Sequence, residues 1–140
     1  MANNRAAISD AIKTKLLTVS SLHSRVYDHN PTEFIGFPSA VVRSAGHDEE
    51  IADNATDLRI YDFDIVVYVE RNKENFGTEK TERIRREVED DIFAAFDTYQ
   101  TLGGACLWMR LKSGGWGYSA DNSFSFFILN LTAYQQVAIS

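Results

Sequence analysis

Residues 57–71 read DLRIYDFDIVVYVER, and their alternation decides what kind of fold the chain can build. Tyr61, Phe63, Ile65, Val67 and Val69 fall on one side of a two-residue period; Asp62, Asp64, Val66, Tyr68 and Glu70 fall on the other. An extended chain points successive side chains to opposite faces, so the stretch is a β-strand with one wholly apolar face. The usual strand has about 5–6 residues. At about 3.3 Å per residue this one would span roughly 45–50 Å, whereas a compact domain of this length has a radius of gyration of ~14 Å. The strand is therefore expected to outrun its core and to end in a projecting arm or a sharp bend. A projecting strand suits a protein that binds copies of itself.

Upstream of that strand, Asn3 or Asn4 can cap a first helix, and Ile8, Ala11, Ile12, Leu16 and Val19 recur at helical spacing. Arg25-Val26-Tyr27 suits a short strand. Asp28-His29-Asn30-Pro31 is a turn by composition, because Pro31 disfavours helical backbone at Asn30. Residues 39–44 read as a strand centred on Ala40, Val41 and Val42. Residues 46–56 are acidic and aperiodic, which predicts a long flexible hairpin loop.

Downstream, Thr78 suits the cap of a second helix with Glu79 in its first turn, where the helix dipole favours an acid. Ile84, Val88, Ile92, Ala95 and Phe96 form its apolar stripe. Glu79–Arg83 and Glu82–Arg86 are i,i+4 pairs in the favourable order. The helix is expected to reach Tyr99 and to be stopped by Gly103-Gly104. From 106 to 112 the chain alternates again, with Leu107, Met109 and Leu111 opposite Trp108, Arg110 and Lys112. Residues 113–122 read as a glycine-rich loop carrying Trp116 and Tyr118. Residues 124–135 form a last long strand, apolar on both faces near its start, as a central strand would be. The order α-β-β-β-α-β-β predicts a single α+β domain over residues 1–140. Its mainly antiparallel sheet has four to five strands, both helices pack on one face, and strand ends project beside loops at 46–56 and 113–122.

Composition narrows the function. The 140 residues are 44% hydrophobic and 24% charged, as in an ordinary globular protein. No apolar run approaches a membrane span and the first twenty residues do not resemble a signal peptide, so a cytoplasmic product with no membrane partner is expected. Cys106 is the only cysteine, which excludes an internal disulfide and paired-thiolate metal sites; its apolar surroundings predict a buried thiol. The net charge of -6 argues against a protein that grips nucleic acid but suits one that lets DNA pass without sticking.

Catalytic chemistry has little to stand on. His23, His29 and His47 have no second histidine at i+3 or i+4. His47-Asp48-Glu49-Glu50 could attract a hard cation, but such a run reads first as a solvated acidic loop. Asp62 and Asp64 share a strand face roughly 7 Å apart, a separation that could suit a carboxylate pair, although residues so placed are more often the wet side of a sheet. A small ligand-binding or hydrolytic module would use Asp62, Asp64 and His47. Gly114-Gly115-Trp116-Gly117 lacks the lysine and the following helix of a phosphate loop. The reading is of no enzyme, no catalytic residue, no metal and no cofactor. The aromatic residues Phe34, Phe37, Trp116 and Tyr118 stand on expected loops and suit interface anchors.

Read as a whole, the chain resembles the tail terminator, or tail-completion, proteins of long-tailed bacteriophages. The likeness lies in the amphipathic first helix running into the Tyr27-Asp28-x-x-Pro31 turn, the GFPSAVV segment at 36–42 before the acidic loop, and YDFDIVVYVER at 61–71. EKTERIRREVEDDIFAAFD at 79–97 follows, then TLGG at 101–104 and a closing strand pair. The resemblance implies a homo-oligomeric ring, commonly a hexamer, that caps the tail tube, ends its polymerisation and joins it to the head. The implied partners are other copies of itself, the tail tube protein and a head-completion or connector protein, with DNA passing unbound through the channel. The implied location is the head-proximal end of the tail in the virion, reached from the host cytoplasm. The contact regions implied are the 46–56 loop, the projecting strand ends and the 113–122 loop; with the loop aromatics, the interface residues expected are Phe34, Phe37, His47, Asp48, Glu49, Glu50, Tyr68, Glu70, Trp116 and Tyr118. A head-side connector or neck protein is the neighbouring alternative.

Overall fold

The alternating stretch becomes the middle of the sheet. A computed structural model describes residues 4–22, 24–29, 37–51, 56–70, 77–118 and 124–138; for residues 4, 45–51, 56–58, 70, 77–81, 118, 124 and 136–138 the description is of backbone. The elements are α1 (Asn4–Leu16), β1 (Val26–Tyr27), β2 (Ser39–Ile51), β3 (Thr56–Glu70), α2 (Gly77–Asp97), β4 (Trp108–Tyr118) and β5 (Phe124–Ala138), with 3-10 turns at Ser20–Leu22 and Leu102–Gly104. The five strands lie in the order β1-β2-β3-β5-β4. All neighbours are antiparallel except β1 and β2. This is the expected α+β fold, with both helices on one face of the sheet.

The period of two sorts β3 as its sequence requires. Tyr61, Phe63, Ile65, Val67 and Val69 are all buried. On the helix side of the sheet, Phe127, Leu129, Leu131 and Ala133 of β5 join them, together with Ala40 and Val42 of β2. The lid comes from Ile8, Ile12 and Leu16 of α1 and from Val88, Ile92 and Phe96 of α2. Each set repeats every three to four residues, so each helix turns one apolar stripe onto the sheet. Phe63 is completely enclosed at the centre of this layer.

Two expected loops are strands. Residues 46–51 continue β2 and pair with β3 as far as Ile51 opposite Asp57. The remainder of that loop, 52–55, lies outside the described residues. The acidic run hides the strand because ladder hydrogen bonds depend on the backbone, while side-chain alternation shows only where one face meets a core. Likewise Ser113–Tyr118 belongs to β4 and pairs with β5, while 119–122 lie outside the described residues. A bulge between Ser113 and Gly115 accommodates the glycines. A Cβ on Gly114 would stand 3.2 Å from the Ile128 carbonyl oxygen, and Gly115 has φ 135°, so glycine here serves close strand pairing.

Other boundaries move slightly. α2 starts at Gly77, so Thr78 lies inside it, and Asn4 is the first residue of α1. α2 ends at Asp97, and Leu102 and Gly103 turn the chain through left-handed backbone just beyond. Glu82 forms an ion pair with Arg85, three residues on. Leu107 precedes β4 and is 46% exposed, because β4 begins only at Trp108. Cys106 is buried, and burial pushes its thiol up to about 11.

Replacing Phe63 with alanine is expected to cost about 3–5 kcal/mol, read as a fall in the urea midpoint at unchanged m-value. The Cys106 thiol should ignore an aromatic disulfide reagent at pH 8 in the folded protein and react at once in denaturant. Because its folded value is raised, the unfolded chain ionises first as pH climbs from about 9. Its contribution to stability is present below that pH and is lost as pH rises through about 11. A Cys106→Ser variant should flatten that part of the pH–stability curve.

Candidate functional site

The face of the sheet away from the helices carries cross-strand polar pairs. Asp62 lies opposite Thr132, and Asp64 opposite Asn130. The Thr132 hydroxyl lies 2.9 Å from Asp62 Oδ1, to which it can donate, and the Asn130 amide donates to Asp64 at 3.4 Å. The two carboxylates thus act as acceptors that tie β3 to β5, the pattern of cross-strand pairs on a partly wet sheet. On the same face β4 adds Arg110 beside Thr132 and Lys112 beside Asn130, both exposed. Trp108 stacks on Tyr134 with ring centroids 4.1 Å apart and planes 15° apart, and remains 44% exposed. Toward the opposite end of this face, Val41 and Val66 are buried.

Both long edges of the sheet are open over much of their length among the described residues. β1 covers β2 only at Ala40 and Val41, leaving the outer side of residues 42–51 without a strand. β4 is the opposite edge along its whole length, 108–118. A groove of about 250 Å³ runs beside the β2 edge, lined by Arg5, Ser9, Asp28, Val42, Ser44 and Phe63. A larger one of about 470 Å³ runs beside β4, lined by Phe93, Phe96, Asp97, Gln100, Trp108 and Arg110 among others. Near the first groove the Asp28 carboxyl is held below the usual carboxylate range by its hydrogen bond to His29 and by the charge of Lys13, 3.7 Å away.

Along the strands, β2, β3 and β5 stay paired past the core. Among the residues whose side chains are described, the last enclosed ones on β3 and β5 are Tyr61 and Ala133, and pairing runs on to Thr56 opposite Ala138. Five further residues of β3, roughly 17 Å of strand, therefore extend a three-stranded ribbon.

The expected interface residues divide between the two ends of the sheet. His47, Asp48, Glu49 and Glu50 stand on β2 in the ribbon, opposite Tyr61, Ile60, Arg59 and Leu58; their side chains lie outside the description. Tyr68, Glu70, Trp116 and Tyr118 gather at the other end, with Phe37 at the bend leading into β2. Tyr68 is half-buried against Phe126, their centroids 6.3 Å apart. Trp116 is 55% exposed, on a strand and not a loop tip, with the Arg85 guanidinium 4.9 Å from its ring centre. Phe34 lies outside the described residues. On the ladder His47 pairs with Tyr61, one position before Asp62; the His47 side chain lies outside the description. Among the described residues no group of three or more His, Cys, Asp or Glu converges as a metal site would, and no helix is long and apolar enough to cross a membrane.

Sequence reading passed over the exposed start of β4, Trp108, Arg110 and Lys112, with Leu107 just before it. The signal was present, since Trp108 alternates with Arg110 and Lys112 on the polar side of that strand, where a tryptophan has no core to fill.

Comparison with known proteins bears on the fold. No protein-family model matches the chain, and no curated protein matches it. Among solved structures, a chain of the virion of a native gene transfer agent (GTA) particle superposes with a TM-score of 0.61 at 14% sequence identity, covering 98% of this chain and 100% of that one. The two chains share a fold over their full lengths.

Proposed function

We propose that this chain is a structural protein of a phage-like virion, and within it a tail terminator: a subunit of a ring that caps the tail tube, ends its growth and offers the joint to the head. The observation that carries the reading is the end-to-end match to a virion chain, with neither partner left with an unmatched domain. Three features of the molecule support it. The ribbon of β2, β3 and β5 extends beyond the core and has surface to spend on contacts. Two open sheet edges suit a subunit with a neighbour on each side. A net charge of -6 suits a ring through which DNA must slide, because an acidic wall repels phosphate. In this reading the protein transforms no molecule, and Asp62 and Asp64 serve the sheet.

The test is assembly. Purified protein should form closed rings by mass photometry, alone or on tubes built from the tail tube protein of the same genome, and electron micrographs should show tube ends capped and tubes no longer lengthening. Binding to isolated heads with none to tubes would move the assignment to the head-side connector. Monomers that ignore both would overturn it. The Asp62→Asn/Asp64→Asn variant should assemble as the parent does, whereas an enzyme that used the pair would lose its activity with that change.

A further inference from the structure

The two open edges carry opposite charge. Residues 98–120 contain no acid, and the only ionisable cations there are Arg110 and Lys112, both exposed on edge strand β4. The open part of β2 holds Asp48, Glu49 and Glu50 in succession against one arginine, Arg43, and is acidic on balance. Charges on edge strands commonly guard a sheet against pairing with another chain. Like charges on both edges would do so. Opposite charges on opposite edges repel β4 from β4 and β2 from β2, but attract the β4 of one copy to the β2 of the next.

We propose that copies of this chain join head to tail by antiparallel pairing of β4 on one copy with residues 42–51 of β2 on its neighbour. This inference rests on the ring reading above and names the contact that builds it. Strand direction permits it: along β2-β3-β5-β4 every step is antiparallel, so β2 and β4 run oppositely, and a copy placed beside the first in the same orientation sets them antiparallel. Register favours it as well. Trp108 is linked through Tyr134 and Ile60 to Asp48, so Asp48 and Glu50 share the alternation phase of Trp108, Arg110 and Lys112. A single antiparallel register sets Asp48 opposite the neighbour's Lys112 and Glu50 opposite its Arg110. The same register spans Ile51 opposite Met109 to Val42 near Tyr118, so the two open stretches match in length. It also brings together the β2 bulge between Ser44 and Gly46 and the β4 bulge between Ser113 and Gly115.

The register implies a stagger compatible with closure. Within one copy Arg110 is linked through Thr132 and Asp62 to Gly46, whereas the neighbour's Arg110 would meet Glu50, four residues further along. Four residues of stagger over four strands is one per strand. That is the ratio of an eight-stranded barrel of shear 8, whose strands tilt by about 36°, inside the range of closed barrels. Such a contact is heterologous: the same pairing repeats around a ring and leaves no edge free.

Charge exchange tests the contact. Arg110→Glu/Lys112→Glu and Asp48→Lys/Glu50→Lys should each fold, by circular dichroism and melting, and each should weaken association about tenfold or more. The chain carrying all four substitutions should regain parental assembly, because its edges are complementary again with signs exchanged. Rings unchanged in both paired variants would overturn the edge contact while leaving the ring reading in place, and so would a folded fourfold variant that fails to recover. A parental chain that never associates, alone or on tubes, would remove both.

Discussion

The antiparallel ladder between β3 and β5 is the constraint on which the rest of the structure depends. It pairs every residue of β3, from Thr56 opposite Ala138 to Glu70 opposite Phe124. Over its middle the ladder is a core wall, with Phe63, Ile65, Leu129 and Leu131 fully enclosed. Past Tyr61 and Ala133 the backbone pairing continues, to Thr56 opposite Ala138. A shift of one residue anywhere along it would send Phe63 to the wet face and Asp62 into the core. The apolar middle therefore sets the register of the polar end, and Asp62 with Thr132 and Asp64 with Asn130 make the same choice on the other face.

The two faces and two edges of this sheet divide the remaining work. The helix face stabilises the subunit, because α1 and α2 each bring three fully or nearly fully enclosed side chains onto it. Stability is thus supplied on one side, and the other side and the edges are released from it. The outer face can keep carboxylates, an arginine and a lysine, and the edges can keep long open runs of backbone. An isolated molecule with such edges tends toward pairing with other chains. In the proposed ring the same edges would form the joint, which would give the exposed Trp108 and the charged strands a common explanation.

Bulges link these roles. Each edge strand contains one, between Ser44 and Gly46 on β2 and between Ser113 and Gly115 on β4. A bulge adds a residue and strengthens local twist, so strands longer than the core bend around it without losing their ladder. It also resets which residues share a face. Trp116 comes to lie opposite Phe127 on the helix side, within reach of Arg85, while Trp108 keeps to the outer side.

How much of this was legible in the chain differs from element to element. The buried faces of β3, α1 and α2 could be read residue by residue, because a core on one side imprints its period on the sequence. The thiol of Cys106 was legible for the same reason. The extension of β2 through His47–Glu50 and of β4 through Gly114–Tyr118 was not, because an acidic run shows no apolar period, and glycines that admit a close neighbour look like loop residues. The candidate contact surface shared that fate: Arg110, Lys112, Asp48 and Glu50 are ordinary surface charges until the strand order separates them onto opposite edges. The sequence by itself determined the two apolar faces, the helices that cover them and the overlong strand, since burial depends on spacing along the chain. Only the tertiary structure decided which strands became edges and which charges each edge carries, since that depends on pairings between residues far apart in the sequence.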